Sequence, residues 1–281
     1  MAKSRFEYVK SYELPDILLP GTYIIARVDG RGFHKFSDAH SFEKPNDRRA
    51  LNLMNHAAGC VMEDLKDVIC AFGESDEYSF LIRKSSKLYN RRRSKINSTI
   101  VSIFTASYVF YWPKFFPNTP LQSPPSFDGR VVLYPSAREI RDYFAWRQAD
   151  THINNLYNTA FWALIQHGGL STTEANKALQ GTDSKDKNEI LYSRFNINYN
   201  NLDSIFRKGT ILVRRPIEPP QELTIPNESS GVNAKPVDET RPQVKPKRQE
   251  QYEGVTGELD ILHEDIIKDG FWNARPWLLA T

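Results

Sequence analysis

The order of hydrophobic patterns along this sequence predicts an α+β fold. It is a split βαβ antiparallel sheet with helices on one face, followed by a mainly helical C-terminal unit. Three observations carry that prediction. Short apolar, β-branched runs alternate with longer stretches of helical period, in the order strand, helix, strand, strand, helix, strand. An acidic turn joins the two middle strands too tightly for a crossover. After Pro135 the pattern turns helical, with two capping-box spacings.

Residues 23–28 (YIIARV) read as a buried strand ending at Asp29. Pro45-Asn46-Asp47 offers a helix start, and Leu51, Met54, Ala58, Val61 and Leu65 then share one face. Residues 68–72 form the next strand, Gly73-Glu74-Ser75-Asp76 the turn, and residues 77–82 the return strand. A basic loop opens a second helix with Ile96, Ile100, Ile103, Phe104 and Ser107 on one face, which Pro113 is expected to end. A proline-rich loop leads to a strand at 130–134. This order is that of ferredoxin-like and polymerase-palm folds. The expected organisation is a palm-like catalytic domain over 1–135 and a helical unit over 136–217. That unit starts at the capping box Ser136/Glu139, contains a second at Ser171/Glu174, and closes with a strand at 210–214. Residues 218–258, rich in Pro, Glu, Gln and Lys, read as a flexible polar insertion. Order should resume over 259–281, packing back on the first domain, because Phe271, Trp272 and Trp277 are costly to leave in water.

Composition narrows the function. With 281 residues, 40% hydrophobic, the chain can bury a sizeable core, and no apolar run is long enough to span a membrane. Cys60 and Cys70 supply neither a disulfide framework nor a cysteine-based zinc site, which points to a reducing compartment, the cytoplasm, with room for a nuclear pool. The net charge is only +3, but Arg83, Lys84, Lys87, Arg91, Arg92, Arg93 and Lys95 form a basic run without an acid, suited to polyphosphate or nucleic acid.

The chemistry gathers in four segments. Asp29-Gly30-Arg31-Gly32-Phe33-His34 leaves a buried strand into a loop whose glycines let backbone N–H groups turn toward an anion. If the first helix returns the chain, strands 23–28 and 68–72 run parallel, so Asp29 and Asp76 reach the same edge of the sheet. Two adjacent carboxylates repel unless a cation sits between them, and magnesium is commonly held by such oxygens together with phosphate. The pair therefore points to nucleotidyl transfer assisted by two magnesium ions. Third, Arg91, Arg92, Arg93 and Lys95 at a helix start suit a triphosphate; Lys44 and Asp47 read equally as nucleotide contacts or as an ordinary helix start. Fourth, residues 152–159 (HINNLYNT) place His152, Asn155 and Thr159 beside Asn158 on a polar helix face, suited to bases or sugars and equally to a plain surface; Lys187 extends it.

Taken together, SRFEYVK (4–10), DGRGFHKF (29–36), GESDEYSF (73–80), HINNLYNT (152–159) and ILHEDIIKDGFW (261–272) resemble the tRNA-histidine guanylyltransferases over nearly the whole chain except 218–258. That resemblance implies a single guanosine added before the 5′ end of tRNA(His). ATP first adenylylates the 5′-monophosphate, the 3′-OH of GTP attacks, and pyrophosphate is removed. It also implies that Asp29, Asp76 and the Gly30 carbonyl hold two Mg²⁺ ions, with Glu77 a third essential acid. By the same resemblance residues 30–34 and Ser75 bind nucleotide, Arg27, Arg92 and Lys95 hold a triphosphate, and His152, Asn155, Asn158 and Lys187 face tRNA. It implies a homotetramer that selects tRNA(His) through its anticodon. Competing readings are a templated 3′–5′ repair polymerase of the same superfamily, a nucleotidyl cyclase, and a non-catalytic tRNA-binding subunit, the last of which has no need of Asp29, Asp76 and Glu77 together.

Overall fold

A computed structural model describes residues 4–216 and 252–280. The first half follows the predicted order. It contains β1 (Tyr23–Gly30), α1 (Phe33–Ala39), α2 (Arg48–Asp64), β2 (Val68–Glu74), β3 (Glu77–Ile82), α3 (Arg93–Phe115) and β4 (Phe127–Tyr134). Then come α4 (Ala137–Gln166), α5 (Thr172–Leu179), α6 (Ser184–Phe195), α7 (Ser204–Lys208), β5 (Thr210–Arg215), β6 (Glu258–Leu262) and α8 (Asp269–Asn273). The six strands form one sheet in the order β4-β1-β3-β2-β5-β6, with every neighbouring pair antiparallel. Because β3 lies antiparallel between β1 and β2, those two strands run the same way, and the end of β1 meets the β2–β3 turn on one edge.

Strand alternation splits the core in two. Ile24, Ala26, Val28, Ala71, Tyr78 and Phe80 face α2 and α3, where Met54, Ala58 and Val61 meet Ile96, Ile100, Phe104, Tyr108 and Trp112. The opposite face, with Ile25, Ile69, Phe72, Leu81, Ile211 and Val213, is covered by Ile140 and Phe144 of α4 and by Phe271 and Trp272 of α8. The closing strand of the helical unit is thus the fifth strand of the same sheet. The second half of α4 packs against α5 and α6 through Leu156, Ala160, Leu164, Leu179 and Leu191. Both expected capping boxes form, and Asp183/Asp186 adds a third at α6.

Three local expectations are corrected. A short helix, α1, follows Gly32 where a loop was expected; Phe33 and Phe36 are buried and drive it. Pro113 does not end α3, which continues to Phe115. Trp112 stacks on Phe116 with ring centroids 4.2 Å apart, both nearly fully buried, and that packing holds the last turn despite the missing N–H. Most of the 218–258 segment lies outside the described residues, but residues 252–258 are part of the packed fold. Tyr252 Oη donates to the carbonyls of Thr256 at 2.6 Å and Arg214 at 3.1 Å, so order begins before Leu259. Among the described residues, no helix is long and apolar enough to cross a membrane.

Candidate active site

The site is built where β1 ends. Asp29 stands opposite Glu77 in the β1–β3 register, and the Gly30 N–H donates to the Asp76 carbonyl at 3.0 Å, so both acidic segments are stitched together by backbone. The turn itself is only Ser75-Asp76, with Ser75 in the left-handed region at φ +47°. Gly30 is a close approach: a Cβ there would lie 2.4 Å from the Phe33 ring and 2.8 Å from Asp76 Oδ2. Gly32 caps α1 at φ +66°, and the N–H groups of Gly32, Phe33 and His34 have no protein acceptor among the described residues. Those amides are free to donate to an anion.

Burial pushes the Asp76 carboxyl up to about 6; a hydrogen bond from Ser75 opposes that, and the charges of Asp29 and Glu77 add to it. Neither Asp29 nor Asp76 has an ion-pair partner among the described residues, although Glu77 beside them has two. No group of three His, Cys, Asp or Glu side chains among the described residues forms a closed metal cage. Two unpaired hard-oxygen donors without a cage fit magnesium, which dehydrates reluctantly and completes its shell with water and phosphate. They do not fit a structural zinc.

On the α4 side of the same edge, Glu77 is clamped. Arg147 Nη1 donates to its two carboxylate oxygens at 3.0 and 3.2 Å, and Arg27 Nε lies 3.4 Å from Oε2. The same guanidinium lies 3.6 Å from Glu74 and reaches Asp150 at 3.1 Å through Nη2. Burial pushes Glu74 up to about 7 and raises Glu77 as well, with Arg147 opposing both. Arg147 is 5% exposed and came from no sequence pattern. Glu74 was in the acidic motif but was read only as turn. Arg27, predicted to hold a triphosphate, lies in this cluster as a partner of Glu77.

A cavity of about 510 Å³ opens on the other side of the turn, lined by Phe33, His34, Lys44, Ser75, Asp76 and Asn158, with Trp162 and Phe161 as aromatic walls. Lys44 Nζ sits at its rim, 2.9 Å from Asp38 and 3.2 Å from Ser37 Oγ. Asp47 also lines the cavity, but its oxygens accept from the N–H groups of Glu43 and Arg49 and from the Arg49 guanidinium. It is the N-cap of α2, with its acceptor capacity taken up within the protein. Arg31 is exposed on the outer side, and His34 is exposed beside Asp38.

Other predicted residues do not converge. From Arg92 to Tyr108, which borders the cavity, α3 runs roughly 24 Å, so Arg92 and Lys95 lie near the end of the helix opposite the cavity, where Asn97 donates to the carbonyl of Gly129 at 3.1 Å. Arg91 leaves the basic surface altogether: it is buried, donating to the carbonyls of Leu19 at 2.7 Å and of Thr22 and Ser86 at 3.1 Å. Asn155 is also buried, accepting from Asn46 at 2.8 Å and donating to Tyr199 at 3.1 Å, so it ties α4 to its neighbours. His152 is exposed with its ring edge on Tyr199, and Asn158 is exposed at the cavity. Lys187 donates to the carbonyls of Thr182 and Asp183 at the start of α6, away from the turn.

Comparison with known proteins places the chain among relatives of one kind. Residues 6–135 match the family model described as tRNAHis guanylyltransferase, and residues 138–268 match the Thg1 C terminal domain. The tRNA(His) guanylyltransferase of Neurospora crassa is 52% identical over 287 aligned residues, covering 100% of this chain and 97% of that one. The crystal structure of tRNA(His) guanylyltransferase from Saccharomyces cerevisiae superposes with a TM-score of 0.72 at 49% identity, covering 74% of this chain and 93% of that chain. A bacterial tRNA(His) guanylyltransferase-like protein in complex with ATP gives a TM-score of 0.62 at 26% identity, covering 74% and 85%.

Proposed function

Since the chain belongs to the tRNA(His) guanylyltransferase family, we propose that it activates the 5′-monophosphate of tRNA(His) with ATP and then adds one guanosine from GTP. It is a nucleotidyltransferase that acts on nucleotides and tRNA. The observation that carries the mechanistic reading is the pair Asp29 and Asp76, brought to one sheet edge between an amide nest and a large cavity, with no protein cation on either among the described residues.

Magnesium bound by Asp29, Asp76 and the Gly30 carbonyl would neutralise phosphate charge and make the attacking 3′-hydroxyl more acidic. The chain's own groups do the rest. The N–H groups of residues 32–34 point at an anion without needing to reorganise, which favours phosphate at the start of α1. Lys44 at the cavity rim adds a positive charge for the same phosphates. Phe161 and Trp162 offer aromatic faces to a purine. Glu77, held by two arginines, keeps the strand beside Asp29 in register and acts on the reaction through that placement. Displacing AMP or pyrophosphate needs positioning and charge neutralisation more than a protein base.

The test incubates the protein with 5′-monophosphate tRNA(His), ATP, GTP and magnesium, with tRNA(Phe) alongside, and follows 5′-end growth on a sequencing gel. One-nucleotide growth confined to tRNA(His) is the expected result. Growth of both tRNAs moves the assignment to a repair polymerase.

Two further outcomes follow from the geometry. A Gly30→Ala protein places a methyl against Phe33, which is wedged between Phe36, Tyr108 and Phe127 with centroids 4.9 to 5.9 Å away. It should lose about 1–3 kcal/mol by overpacking, and its guanosine addition should fall further than the melting shift accounts for, because Asp76 is pushed aside. Equal activity per folded molecule sinks that placement. Second, protons should compete with the metal at Asp76 below about pH 6. Calorimetric Mn²⁺ affinity should weaken between pH 7 and pH 5, by up to about tenfold per unit; a flat profile removes Asp76 from the ligand set.

Assembly as a homotetramer belongs to the same proposal. Phe6, Tyr8, Tyr12, Leu14 and Ile17 are each at least 60% exposed, which supports burial against another copy and is read by light scattering. Cytoplasmic residence is proposed from Cys60 and Cys70, which are both free.

A further inference from the structure

A second, smaller pocket adjoins the nucleotide cavity and shares Asn46, Ser75 and Asn158 with it. At about 90 Å³ it has room for one ring system rather than a triphosphate. Leu51, Met54, Ile205 and Phe206 give it apolar walls, while Asn55, Asn154 and Asn158 supply amides and Glu74 a carboxyl. Among the described residues, no lysine, arginine or histidine lines it. Asn55 is 6% exposed and its Oδ1 accepts from Tyr78 at 2.9 Å, yet its Nδ2 has no partner among the described residues and is open to the pocket. That amide donor is free to meet an acceptor that enters the pocket. The Asn154 and Asn158 side chains are likewise without a partner among the described residues.

We propose that this pocket holds a nucleobase without sugar or phosphates, and that its occupant is the 5′-terminal base of the RNA. The proposal rests on the nucleotidyl-transfer reading of the neighbouring site. Joining two nucleotides at one pair of carboxylates requires two base sites within reach of the same turn, and Ser75 borders both cavities. The larger one has a lysine and an amide nest for phosphates. The smaller one has neither. Apolar walls with amides at the edge match a base, which is flat, apolar on its faces and lined with donors and acceptors. RNA is favoured over free nucleotide as the source because the pocket opens along the exposed side of α4, where Asn154 and Asn158 lie one turn apart.

Asn154→Trp fills the pocket from its exposed rim, and Asn154→Ala empties the same position; neither disturbs a hydrogen bond, and a melting curve confirms folding. Steady-state extension at saturating ATP and GTP gives each variant's KM toward tRNA(His) carrying a 5′-monophosphate. Equilibrium titration without RNA gives its Kd for GTP and for ATP. The Trp variant should raise the RNA KM at least tenfold while both nucleotide Kd values stay within twofold. A tenfold rise in the GTP Kd with an unchanged RNA KM overturns the RNA assignment and gives the pocket to free nucleotide. If none of the values moves, no base is held there. Absence of extension by the wild-type protein counts against the proposed activity itself, and the nucleotide Kd values then still report on the pocket.

Discussion

An Asp76→Asn protein should add guanosine at least about a thousandfold more slowly than wild type and yet melt at a higher temperature. The rate loss follows from removing one of two anionic oxygen donors from a site whose work is charge neutralisation. The gain in stability follows from the same environment. Burial holds the Asp76 carboxyl near 6, above its ordinary value of 3.8, so the folded state resists ionising it. The sign is that of a raised acid: stability is lost as pH rises from the unfolded pKa to the folded one, and the loss is complete above it. At pH 7, without metal, the neutral amide should therefore be worth about 1–3 kcal/mol. At pH 4 the two proteins should melt alike. Thermal melting in EDTA at both pH values checks the stability half, and the extension assay with a tRNA-binding titration checks the other, with binding kept within a few-fold. A destabilised Asn variant at pH 7, or one with retained turnover, removes Asp76 from the centre of the site.

Replacing Arg147 by methionine should be the most damaging change for the fold. Its guanidinium alone spans Glu74, Glu77 and Asp150, and it is 5% exposed. Removing one partner of a buried charged network leaves the others uncompensated and costs about 3–5 kcal/mol. For a domain of this size that lowers the melting temperature by roughly 6–20 °C. The defect should shrink as pH falls, since Glu74, pushed up to about 7, and Glu77, also raised, shed their charge on the acid side. Arg147→Lys keeps the charge but loses the fork that serves two carboxylates, so it should recover part of the stability and less of the activity. A methionine variant that melts like wild type from pH 5 to 8 contradicts the clamp.

The candidate site was legible in the sequence wherever its chemistry lies in one stretch of chain. Asp29 and Asp76 follow from two acidic motifs at strand ends, and the alternation of strands and helices was enough to bring them to one edge. Arg147 was not legible because nothing in a 30-residue helix marks which of its arginines turns inward. That depends on the carboxylates of β2 and β3 already being buried beneath it. Arg91 failed in the opposite direction. Among neighbours that read as a uniform basic surface, one guanidinium is drawn inside by the free carbonyls of residues 18–22, which no charge count reveals. Asn155 was read as surface from helical period, but the packing of Asn46 and Tyr199 onto α4 encloses it.

By itself the sequence determined the class of fold, the split βαβ order, the capping boxes and the pair of acids, because these depend on local periodicity, on turn chemistry and on the chain's own connectivity. Tertiary structure alone decided that the strand at 210–215 joins the same sheet, that α4 covers its second face, and that Glu77 is clamped while Asp29 and Asp76 have no ion-pair partner among the described residues. The physical reason is range. Hydrophobic period and capping act over a few residues, whereas the pairing of a buried charge is settled by whichever segment, however distant in sequence, packs over it and excludes water.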